Sequence, residues 1–158
     1  MELERDVSFC LDAADPEAAR QLLARPDRAL ARLAVFQDLE LNGEELTGAL
    51  VAPFALLGEV RFPFRSRFTQ SGETARLDAC ETGDGDLTAE LAGRARVEGA
   101  RVCYRARVHL RIRLPEGDKW GGRAFRKMAE AAFARTLERT LAAVNRSADG
   151  GLLDWEKI

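Results

Sequence analysis

A chain of 158 residues suits one compact domain with a real core. Its 46% hydrophobic and 32% charged residues exclude a disordered or fibrous chain, and a formal net charge of −2 gives no global pull toward nucleic acid or membrane. No apolar run approaches the roughly 20 residues of a membrane-spanning helix. The opening MELERDVSF is acidic where a secretory signal is basic and then apolar, so a cytoplasmic location is expected. The cysteines Cys10, Cys80 and Cys103 are widely spaced, form no CxxC pair and are odd in number. They are expected to be small packing residues rather than a disulfide framework or a metal set. The basic residues are nearly all arginine, with Lys119, Lys127 and Lys157 the only lysines. Together with abundant alanine, this reads as the codon bias of a GC-rich bacterial genome.

In chain order, Leu3, Val7, Phe9 and Leu11 alternate with Glu2, Glu4, Asp6 and Ser8, the period of a half-buried strand, and only Arg5 breaks the apolar side. Asp15-Pro16-Glu17 then announces a helix: Asp15 caps it, Pro16 suits the first helical position, and Glu17 complements the dipole. That helix carries Ala19, Leu22 and Leu23 and is interrupted by Pro26, and a second short piece runs from Asp27 to Leu33.

Strands and turns follow as far as Leu114. Val35 to Leu41 and Glu45 to Phe54 flank Asn42-Gly43, whose two residues tolerate the positive φ of a hairpin turn. After Gly58, Val60 to Gln70 places Val60, Phe62, Phe64, Ser66 and Phe68 on one side and Arg61, Arg65 and Arg67 on the other. Glu73 to Cys80, Leu87 to Val97 and Arg101 to Leu114 complete the set, with turns at Ser71-Gly72, Gly83-Asp84-Gly85 and Glu98-Gly99-Ala100. At about 3.3 Å per residue the last strand spans roughly 45 Å. A strand that long must twist and bend, so the sheet is expected to curve around a concave face. A helical pattern from Gly121 to Asn145, roughly 38 Å long, carries Phe125, Met128, Ala132, Phe133, Leu137, Leu141 and Val144 as an apolar stripe. Its length matches the concave face it is expected to fill. Residues 1–146 form the expected domain, and 147–158, with Leu152, Leu153, Trp155 and Ile158, form a tail.

Strand, two short helices, a run of antiparallel strands and one long helix resembles the START-like superfamily, also called SRPBCC or helix-grip, which includes polyketide cyclases and Bet v 1-type proteins. Asp15-Pro16-Glu17-Ala18-Ala19-Arg20-Gln21-Leu22-Leu23 followed by Arg25-Pro26-Asp27 is similar to that superfamily's opening. The resemblance implies an α+β helix-grip fold of about six or seven strands, with two short helices after the first strand. It also implies a cavity between sheet and final helix for lipids, polyketides or other apolar compounds.

The aromatics Phe9, Phe62, Phe64, Phe68, Tyr104, Phe125 and Phe133, with Val108 and Met128, fall on inward faces and are the expected lining. Ordinary core packing draws on the same residues. Among inward polar residues, Arg5 matches a ligand carboxylate in geometry and charge. The plainer reading, which we prefer, puts its head in water at the sheet end. Ser66, Tyr104 and Asp78 complete the polar candidates.

The outward row Arg101, Arg105, Arg107, Arg111 and Arg113, with Arg94 and Arg96, is read as an ion-pair ladder facing Glu2, Glu4 and Asp6, because no outward aromatic interleaves to stack bases. His109, the only histidine, falls among these arginines as a surface residue, and neither a metal nor a cofactor is expected. The expected function is non-catalytic binding or transport of an apolar small molecule. The alternatives are a cyclase- or hydrolase-type enzyme in the same cavity, and a filled-core module that docks a protein partner or a second copy. No catalytic residue is assigned.

Overall fold

The alternating N-terminal segment forms β1 (Glu2–Asp12), with Leu3, Val7, Phe9 and Leu11 buried. The computed structural model describes residues 2–54 and 58–113 and positions 127, 131, 132, 134–136, 138–140, 142 and 143. In α1 (Pro16–Leu23), the Asp15 carboxylate accepts the Ala18 N–H at 2.7 Å, which satisfies one of the first-turn donors that lack an intrahelical partner. α2 (Pro26–Leu30) begins at Pro26 and ends three residues before the expected Leu33. The ring that halts α1 supplies the fixed φ of a new first turn. Beyond Leu30 the chain descends through i→i+3 bonds, from Leu33 N–H to the Leu30 carbonyl and from Phe36 N–H to the Leu33 carbonyl.

Six further strands are β2 (Phe36–Asn42), β3 (Glu45–Phe54), β4 (Gly58–Ser71), β5 (Thr74–Cys80), β6 (Leu87–Glu98) and β7 (Arg101–Ile112). With β1 they make one antiparallel sheet in the order β1-β7-β6-β5-β4-β3-β2. Successive hairpins build six of the strands, and β1 returns to pair with the last. The Asn42-Gly43 turn forms as expected, with Gly43 at φ 62°. The β2 strand differs from the expected uninterrupted Val35–Leu41: its register shifts between Gln37 and Glu40, with Asp38 at φ 55°. This bulge adds one residue to the strand without disturbing its composition, so period-2 counting does not register it.

The curl is built into β5. That strand pairs with β6 only from Thr74↔Arg96 to Leu77↔Gly93, yet follows β4 as far as Cys80↔Arg65. Beyond the split, β4 lies beside β6, and Ser66 Oγ donates to the Leu91 carbonyl at 2.6 Å. Such a reach requires backbones about one strand spacing apart, roughly 4.8 Å, instead of two. Gly93 stands at this fold: a Cβ there would come within 2.5 Å of the Arg105 carbonyl oxygen and 2.8 Å of Ala106 Cα. Across the curl, α1 packs on β6 and β7 while α2 packs on β2, so the two helices bridge opposite sides of the sheet.

The curled seven-stranded antiparallel sheet, with two short helices after its first strand, is consistent with the helix-grip arrangement. The described positions between 127 and 143 are helical, with Thr136 Oγ1 donating to the Ala132 carbonyl at 3.1 Å and Thr140 Oγ1 to the Thr136 carbonyl at 2.9 Å. The expected helix as a whole, its stripe residues Phe125, Met128, Phe133, Leu137, Leu141 and Val144, and the 147–158 tail lie outside the described residues.

One expectation is corrected. Cys10 and Cys103 are not separate packing residues: they face each other in the β1–β7 register, with Cα atoms 4.0 Å apart, and form a disulfide. An odd cysteine count does not exclude a bond between two that a ladder sets opposite each other. Cys80 is free and half-buried.

Candidate functional site: the inner face of the sheet

Period 2 along β1, β4 and β7 brings Phe9, Phe62, Phe64, Phe68, Tyr104 and Val108 to one side, and all six are buried there. Phe9 and Tyr104, opposite each other in register, stack with ring centroids 5.2 Å apart, while Phe36 meets Phe64 edge-on at 6.1 Å. Of the expected lining residues, Phe125, Met128 and Phe133 lie outside the described residues.

The polar candidates separate by environment. Ser66 is fully buried, and its hydroxyl is committed to the Leu91 carbonyl. Asp78 faces outward and holds Arg76 Nε at 2.8 Å, which corrects its assignment to the cavity; the outward turn follows from its pairing with Arg67 across β4. Arg5 is exposed, as the plainer reading has it. Its guanidinium donates to the Glu4 carbonyl at 2.7 Å and forms an ion pair with Glu138, tying β1 to the C-terminal helical positions.

Tyr104 is different. Its residue is 2% exposed, and its hydroxyl has no hydrogen-bond partner among the described residues. Burial, and secondarily the negative charge of Asp27, hold the phenol well above its ordinary pKa, so it stays a neutral donor. The inner face is thus an apolar surface with one uncommitted polar atom among the described residues.

On the outer face the expected ion-pair ladder forms in part. Arg107 Nε lies 3.0 Å from Asp6 and 3.4 Å from Glu4, Arg111 lies 3.3 Å from Glu2, and Arg101 lies 3.1 Å from Asp12. His109 sits less simply than expected. It is half-buried, with Nδ1 3.4 Å from Glu90 and Nε2 3.6 Å from Glu2, at a polar cavity of about 150 Å³ between the 81–84 loop and Thr88, Glu90 and Arg111. The signal was available: counting back from the Glu98–Arg101 hairpin pairs Glu90 with His109. Among the described residues, no group of three or more histidines, cysteines or acids is placed to hold a metal, and no helix is long and apolar enough to cross a membrane.

The chain is similar in structure to TTHA0849 from Thermus thermophilus, at 18% identity over 92% of this chain and 95% of that one, with a TM-score of 0.46. It is also similar to the Zhui aromatase/cyclase from Streptomyces sp. R1128, at 16% identity, 94% and 93% coverage and a TM-score of 0.47. A START superfamily protein from Mycobacterium smegmatis is similar at 11% identity, 90% and 98% coverage and a TM-score of 0.39. No curated protein matches the sequence. Residues 8–142 match the model of the family described as protein of unknown function (DUF3809), and the chain belongs to that family.

Proposed function

We propose that this protein binds or carries an apolar small molecule, of the lipid, polyketide or aromatic class, between the inner face of its sheet and its C-terminal segment, without transforming it. The observation that carries this reading is the Tyr104 hydroxyl, buried in an apolar surface with no described partner. Leaving such a group unsatisfied costs about 1–3 kcal/mol, and a ligand carbonyl, hydroxyl or carboxylate would relieve that cost. One polar anchor in an apolar lining is also how small-molecule sites fix orientation. The non-catalytic reading is favoured over the cyclase reading because Ser66, Asp78 and Arg5 are already engaged with protein groups. That leaves Tyr104 without a second polar group, among the described residues, to share acid–base work.

The test is a displacement titration on the full chain, using an apolar fluorescent probe and two competitors of equal size: a hydrocarbon and its ketone. Both should displace the probe, and Tyr104→Phe should weaken the ketone by about tenfold, as for one buried hydrogen bond, while sparing the hydrocarbon. Failure of the native protein to take up the probe or either competitor would contradict the proposal.

A further inference from the structure

The outer face of the sheet can be read row by row through its register. In several rows that carry an arginine, an acid stands in line with it or is bonded from a neighbouring row: Asp12 with Arg101, Asp6 with Arg107, Glu2 with Arg111. One row sets arginines opposite one another. Ser8 pairs with Arg105, Arg105 with Arg94, Arg94 with Arg76, and Arg76 with Thr69. Three arginines therefore stand directly opposite one another on β7, β6 and β5, all exposed, with a hydroxyl residue at each end and no acid in the row itself. Acids flank the rank from the rows on either side: Asp6 holds Arg107, Glu98 lies 3.6 Å from Arg96, and Asp78 takes Nε of Arg76.

Like charges set directly opposite across strands repel, so a rank of three carries a repulsion that a bound anion would relieve. The rank spans two strand spacings, roughly 10 Å. Guanidinium groups present planar forks with several donors each, so one partner leaves donors over for phosphoryl oxygens, which they match two at a time. No outward aromatic on β5, β6 or β7 offers a platform on which bases would stack, so a single-stranded nucleic acid is the poorer fit.

We propose that the Arg76–Arg94–Arg105 rank is a binding site for phosphoryl oxyanions, carried either by lipid headgroups or by free phosphate compounds. The site is independent of the inner face and lies on the opposite side of the same strands.

The full chain is titrated with inorganic tripolyphosphate at low salt, and its melting temperature is followed in parallel. Tripolyphosphate should bind, raise the melting temperature and lose affinity as salt is added. Arg105→Gln should weaken binding by about tenfold, the worth of a charge-assisted hydrogen-bond pair. Because that substitution relieves like-charge crowding, the variant should melt no lower than the native protein in the absence of the anion. Arg61→Gln, on β4 beside Asp38 and Glu59, should bind as the native protein does. Co-sedimentation with phosphatidylcholine vesicles, with and without phosphatidic acid, distinguishes the sources: capture that depends on phosphatidic acid assigns lipid headgroups, and tripolyphosphate binding without vesicle capture assigns free phosphates. No tripolyphosphate binding at low salt, or equal weakening by Arg61→Gln and Arg105→Gln, would overturn the proposal.

Discussion

The inner and outer faces of this sheet are made by the same strands, one residue apart, yet they are held by different physics. On the inner face Phe62, Phe64, Val108 and Leu91 are removed from water almost completely, and the stabilisation scales with apolar area. On the outer face Arg107, Arg111 and Arg101 meet acids in solvent, where water and salt screen each pair and its contribution is small. The inner face should therefore dictate stability. The outer face is free to dictate which surfaces the protein meets, since its charges can be rearranged at little cost to the fold.

The sharpest test of that contrast compares neighbours. Phe62→Ala should cost about 3–5 kcal/mol in urea unfolding, whereas Arg61→Ala, one residue away, should cost less than about 1 kcal/mol; similar losses would erase the distinction between the faces. The Cys10–Cys103 bond is the outer face's exception, because it closes a separation of 93 residues between the first and last strands. The double substitution of both cysteines by serine should cost about 2–4 kcal/mol, and an unchanged midpoint would show the β1–β7 ladder to be sufficient alone. Ser66→Ala leaves the Leu91 carbonyl without its hydroxyl at the split between β5 and β6, and should cost about 1–3 kcal/mol. Amide exchange at β4 and β6 should quicken with it.

The pH dependence sharpens the contrast further. Tyr104 is the only tyrosine, so its phenolate absorbance is unobscured by others. Its folded pKa is raised, so the unfolded chain releases the proton first, near the ordinary value of about 10. Stability should be intact below that pH and fall by about 1.4 kcal/mol per unit above it, until the folded phenol itself titrates. Tyr104→Phe should lack this alkaline loss. The smallest effect expected is Arg107→Ala, which should leave the urea midpoint almost unmoved despite two acidic partners, any shift shrinking further in salt.

Much of this architecture is legible in period-2 alternation alone. The inward placement of Phe9, Phe62, Phe64, Phe68, Tyr104 and Val108 required only parity, because one face is buried throughout. The Asp15 cap and the Asn42-Gly43 turn were equally local. What escaped the sequence depended on relations between strands. Nothing in β2 by itself marks the bulge at Asp38, and the disulfide and the acid-free row that starts at Ser8 both follow from a β1–β7 register set by strands far apart in the chain. Asp78, one residue after the buried Leu77, turns outward by the same parity, whereas the split at which β5 leaves β6 is a consequence of curl that no single strand encodes. The commitment of the Ser66 hydroxyl to Leu91 has the same origin.

Native mass spectrometry of the full chain, followed by solvent extraction and identification of whatever it carries, tests the central claim most directly. The account predicts a stoichiometric apolar compound bearing a hydrogen-bond acceptor, retained less well by Tyr104→Phe. A bare protein that also refuses an apolar fluorescent probe would contradict it, and would mean that the inner face is packed through as an ordinary core.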